Sequence, residues 1–250
     1  MTGLKDRSFK SIFYYNMGFP QFMLGYPQLI AVSDKGTAEG GLKMKNKLAN
    51  PKYLAQLALL IAIEIVMKLV GLGSVPVGPL YMSFLTLPIA IGAILMGPTA
   101  GGILGGVFGI VSFKDAITGA SVMTGTFFQF APVKTFVLCV IMRILMGICV
   151  GLIFKALDKS LKGNTASYVI GSLSAPILNT LFFMGFIVLA FYKTDYIQNL
   201  VANLGVHNPL SFVIALVGVQ GLTEAVVCCI LGTIITKALA KALGESIKTE

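Results

Sequence analysis

The chain has 250 residues, of which 56% are hydrophobic and 12% charged, and its mean hydropathy is +0.87. A soluble domain carries about 25% charged residues, so this balance excludes an ordinary soluble protein and predicts an all-α integral membrane protein. The formal net charge of +9 would suggest nucleic acid in a soluble chain; here most of it lies in short segments beside apolar runs, the positive-inside pattern of membrane proteins.

Residues 1–53 form an extension unlike the rest. Lys5, Asp6, Arg7 and Lys10 lead into FYYNMGFPQFMLGYP, which Gly and Pro interrupt too often for a span. It also lacks the apolar core and small-residue cleavage site of a signal peptide. It reads either as a tail, surface-lying or disordered, or as sequence ahead of a true start at Met44, where MKNKLANPK has the make-up of a short basic leader. The first span is expected over 54–72. Its Glu64 and Lys68 are four residues apart and can pair on one helix face, and Ala58 and Ala62 form a small-xxx-small docking face. An uncharged loop, GLGSVPVGPLYM, follows and contains Tyr81.

The stretch 85–112 is without charge, and Gly97-Pro98 divides it into two apolar arms of about fifteen residues, close to the roughly seventeen that a membrane helix needs. Gly97, Gly101, Gly105 and Gly109 recur every fourth residue and share one face of the second arm, with Gly102 and Gly106 on the next row. In lipid such a bare face lets another backbone approach closely. Ser112 ends the stretch. Nothing in it matches a phosphate-binding P-loop. Residues 113–134 are mixed and read as a long loop, its Phe127, Phe128 and Phe130 either a lid over a ligand or aromatics at the membrane interface.

The fourth span is expected over 135–154, with Arg143 inside it and Gly147-x-x-x-Gly151 below. The fifth is expected over 168–192, with Asn179 near its middle. The sixth, over 210–235, holds Gln220 and Glu224 and is followed by a basic tail that runs through 241–250. Lysines cluster before the first span, after the fourth and after the sixth. Six crossings with both termini cytoplasmic therefore satisfy the charge rule. A re-entrant Gly-rich hairpin would leave that parity unchanged.

Polar groups inside spans carry the functional signal, because insertion of Arg, Lys or Asp at mid-helix costs about 2.5–3.5 kcal/mol. Arg143, Asn179, Gln220 and Glu224 fall at comparable depths and, on adjoining helices, surround a polar pocket; the alternative is an Arg143–Glu224 pair that only fixes packing. The spans hold no HExxH, no paired carboxylates and no clustered metal ligands, so no enzyme, cofactor or metal is expected. The four cysteines, Cys139, Cys149, Cys228 and Cys229, sit in apolar runs without C-x-x-C spacing and read as inert helix residues.

The run LPIAIGAILMGPTAGGILGGVFGIVSF resembles the second and third helices of the S components of energy-coupling factor (ECF) transporters, over a match of about residues 54–240. RILMG at Arg143 and ILNT at Asn179 are similar to the pantothenate-type members. The resemblance implies a six-helix subunit that binds a vitamin from outside and delivers it with a transmembrane coupling subunit and two ATPases. Ala58 and Ala62 fit the A-x-x-x-A docking motif of that family. Pantothenate carries a carboxylate, an amide and two hydroxyls. Arg143 would hold the carboxylate, Asn179 the amide or a hydroxyl, and Gln220 and Glu224 the hydroxyls, with Tyr81 and Ser112 also in the site. Another vitamin (folate, riboflavin, or a pyrimidine or pyridine precursor) and a scaffold without ligand are the remaining readings.

Overall fold

The computed structural model describes residues 50–73, 75–77, 80–161 and 164–242. The extension, the Met44 start and most of the final tail lie outside them. Helix α1 (Pro51–Leu69) opens with Asn50, whose Oδ1 accepts the Lys52 N–H at 3.0 Å, followed by a proline at the first helical position. It closes on Gly71 in the left-handed region, and the Gly73 N–H reaches back to the Met67 carbonyl. The expected loop then forms a small antiparallel ladder, β1 (Val75–Val77) on β2 (Leu80–Met82), with Val75 opposite Met82.

The Gly-rich hairpin is lopsided. Instead of two arms of about fifteen residues it has α2 (Thr86–Met96, 11 residues) and α3 (Pro98–Thr118, 21 residues). Gly97 makes the turn with φ +96°, and a Cβ there would touch nothing. It is therefore a hinge glycine, not a packing one. At about 1.5 Å per residue α2 covers only half of a membrane core. It is buried almost all round, as a helix without a polar face must be.

The expected loop over 113–134 is helical. Residues 113–118 finish α3, Gly119 ends it with φ +73°, α4 (Val122–Phe130) follows, and Pro132 starts the next helix. Its phenylalanines divide. Phe127 is fully buried and stacks on Phe191 at 4.2 Å, whereas Phe130 is exposed. Helix α5 (Pro132–Leu161) contains a π-helical turn at Val137–Ile141. After α6 (Thr165–Phe191), the expected loop holds α7 (Asp195–Asn203), which buries Ile197 and Val201 four residues apart. Helix α8 (Pro209–Val227) runs through a second π turn, Cys228–Gly232, into α9 (Thr233–Ala242).

Helices α3 and α5 are antiparallel and nearly touch. A Cβ on Gly101 would strike the Gly147 carbonyl, one on Gly105 the Arg143 carbonyl, and one on Gly109 would sit 2.7 Å from the Val140 Cα. Gly151 completes the contact against Pro98. This close approach replaces side-chain burial with backbone packing. Four helices among the described residues are long and apolar enough to cross a membrane: Pro98–Thr118, Pro132–Leu161, Thr165–Phe191 and Gln220–Ala242. Two shorter apolar runs, Thr86–Met96 and Pro209–Gly218, accompany them. Bulky apolar side chains such as Leu59, Ile110, Leu181 and Leu189 stay exposed around the bundle, a surface suited to lipid and not to water.

Candidate functional site

Five of the residues singled out in the sequence line one cavity: Arg143 of α5, Asn179 of α6, Gln220 and Glu224 of α8, and Ser112 of α3. The cavity volume is about 100 Å³, enough for several waters or part of a small solute. The α3 wall follows from helix periodicity: Phe108, Val111, Ser112 and Asp115 recur at intervals that keep them on one side.

Arg143 is 7% exposed. Gly105 makes its position possible by letting the Arg143 backbone lie against α3. One turn further along, the Phe108 ring centre lies 4.2 Å from the guanidinium carbon, and that of Phe183 of α6 lies 4.8 Å from it. Such contacts are worth about 2 kcal/mol or more when desolvated, which offsets part of the cost of burial. Nη1 donates to the Cys139 carbonyl at 3.0 Å, inside the π turn, while Nε is buried with no hydrogen-bond partner. With Nη1 engaged, the Nε side of the guanidinium is left for a ligand. A carboxylate is the acceptor that fits such an edge in two parallel bonds.

Arg143 and Glu224 do not form an ion pair. Glu224 Oε1 instead accepts the Thr86 hydroxyl of α2 at 2.9 Å, and Thr86 Oγ1 also lies 3.3 Å from the Cys228 sulfur. The expected Glu64–Lys68 pair is replaced as well. Lys68 joins Asp115 of α3 at 2.5 Å, whereas both Glu64 oxygens are buried without a hydrogen-bond partner. Lys68 and Asp115 both line the cavity. Sequence reasoning missed Asp115 because it treated 113–134 as loop; continuing the helical spacing from Phe108 through Ser112 would have found it.

The other expected positions lie elsewhere. Tyr81 is in β2, opposite Pro76, and its side chain is outside the described residues. Ala58 and Ala62 are exposed on α1, beside exposed Leu59 and Ile63, while Leu57 and Glu64 mark the buried face. Gly101, Gly105 and Gly109 support the site from behind by setting the α3–α5 distance. Among the described residues no group of His, Cys, Asp or Glu is arranged to hold a metal.

Comparison with known proteins bears on the same region. The chain is 29% identical over 216 residues to the pantothenic acid transporter PanT of Lactococcus lactis subsp. cremoris (strain MG1363), an alignment covering 80% of this chain and 100% of that protein. Residues 52–236 match the family described as ECF transporter, substrate-specific component. The match takes in the cavity, the helices that line it and the glycine contact behind it. The chain belongs to the substrate-specific components of ECF transporters and is a multi-pass cell-membrane subunit for vitamin uptake, not an enzyme.

Proposed function

We propose that this chain captures pantothenate in the cavity around Arg143. The observation that carries the reading is the buried guanidinium, close to the Phe108 and Phe183 rings and with its Nε unpartnered. That is a site for one carboxylate, and the likeness to a pantothenic acid transporter supplies the vitamin. Asn179 offers both a donor and an acceptor to the amide, and Gln220 and Glu224 accept from hydroxyls. Six crossings with both termini cytoplasmic open the cavity to the outside, in keeping with the lysine distribution. Titration of the purified chain with a vitamin panel tests the reading. Pantothenate is expected to bind and raise the melting temperature; binding of folate or riboflavin with none of pantothenate would replace the ligand, and binding of no vitamin would leave a scaffold.

Delivery requires the transmembrane coupling subunit and two ATPases of an ECF module, which dock on α1 at Ala58 and Ala62. Both alanines are exposed, so a large side chain there meets no atom of the chain's own core. Ala58→Trp and Ala62→Trp are therefore expected to keep pantothenate affinity within about twofold while uptake into cells is lost, as overpacking a close helix contact costs about 1–3 kcal/mol. Normal uptake by both variants would remove α1 as the docking face.

A further inference from the structure

One charged pair in the cavity has no part in the scheme above. Asp115 shares the α3 wall with Phe108 and Ser112, and its Oδ2 meets the Lys68 ammonium of α1. The two side chains are 18% and 23% exposed, and the ion pair leaves Oδ1 for another donor. We propose that Asp115, aimed by Lys68, is a specificity-determining residue that accepts a hydroxyl of the ligand in this cavity. The proposal rests on the reading that this cavity binds pantothenate.

Spacing along α3 supports it. Phe108, whose ring lies on the Arg143 guanidinium, and Asp115 are seven residues apart, about 10 Å along the helix axis. From carboxylate carbon to terminal hydroxyl oxygen, extended pantothenate has eight bonds, about 9 Å at the 3.3–3.6 Å that a chain gains per three bonds. An acid seated on the Arg143 edge and extended along α3 brings its hydroxyl end level with Asp115. Chemistry agrees with the spacing. An ionised carboxylate can only accept, so it selects a hydroxyl over a methyl in the same place. Its charge would repel an anionic ligand if it stood alone; the Lys68 ammonium cancels it and fixes the orientation of the group. Glu224, whose Oε1 is occupied by the Thr86 hydroxyl, keeps Oε2 for the other hydroxyl.

The rival account is that Lys68 and Asp115 merely tie α1 to α3. The two separate when the full chain is titrated calorimetrically with pantothenate and with the same skeleton bearing hydrogen in place of both hydroxyls. Asp115→Asn is expected to weaken pantothenate about tenfold or more, the usual worth of a hydrogen bond to a charged group, and to shift the dideoxy compound by less than about twofold. Lys68→Gln leaves the carboxylate present but no longer aimed, and is expected to lower the same selectivity ratio, so a folding failure of one variant leaves the other to decide. Equal losses for both compounds, or no loss for pantothenate, would overturn the proposal. A parent chain that binds neither compound refutes the pantothenate reading itself, and the role of Asp115 falls with it.

Discussion

Gly147→Leu is expected to yield no stably folded protein. The Cβ of any residue at 147 meets the Gly101 carbonyl and peptide, just as a Cβ at 101 would meet the Gly147 carbonyl. Neither obstacle is a flexible side chain. The helices must part along their whole contact, which also carries Gly105 and Gly109. Overpacking usually costs about 1–3 kcal/mol where side chains can adjust; against two backbones the upper end is the minimum. Gly185 provides the control. Nothing lies within 4 Å of a Cβ there, so Gly185→Ala in α6 is expected to be neutral or to stabilise by up to about 1 kcal/mol through helix propensity. Yield of monodisperse protein and its melting temperature in detergent decide the matter. A Gly147→Leu chain that melts like its parent would show that α3 and α5 are not held at backbone contact.

Arg143→Lys is expected to lower pantothenate affinity about tenfold to hundredfold, corresponding to roughly 1.5–3 kcal/mol for a charge-assisted hydrogen bond. Lysine keeps the charge. It loses the planar fork that matches a carboxylate and the delocalised cation that lies over the Phe108 and Phe183 rings. Arg143→Ala removes the charge as well and is expected to abolish measurable binding. The competing role for Arg143 is structural, through its bond to the Cys139 carbonyl. Affinity and the melting temperature of the ligand-free chain, measured together, distinguish them: an anchor loses affinity at nearly constant stability, and a strut loses stability while the folded fraction still binds. The second pattern would sink the anchor.

Much of this was legible in the residues, for identifiable reasons. Hydropathy marks the long helices because lipid tolerates no unsatisfied backbone. The four-residue spacing of Gly101, Gly105 and Gly109 is a local pattern that lies on one face whatever it packs against. Arg143, Asn179, Gln220 and Glu224 stand out because polar groups are expensive in a span, and the structure sets all four around one cavity. What escaped the sequence was either short or non-local. Helices α4 and α7 are nine residues each, and their glycine, serine and proline borders carry the composition of loops. The partner of Lys68 is 47 residues away, so the nearer Glu64 looked the better match. Likewise Thr86 claims Glu224 across 138 residues, a distance no spacing rule spans.

The π turn at Val137–Ile141 makes α5 two helices in different angular phase. One extra residue in a turn rotates everything beyond it by about 100°. Ahead of the turn, the phase is set by packing near α4, where Leu138 joins the cluster around Phe127 and Phe191. Beyond it, the phase is set by the glycine contact and by the aim of Arg143. A strictly regular helix would have to satisfy both with one rotation. The extra residue lets each half choose its own. Removing one residue here is therefore expected to give a regular helix with Arg143 still facing its rings, whereas forcing all the residues into regular α geometry would turn the guanidinium about 100° away from them.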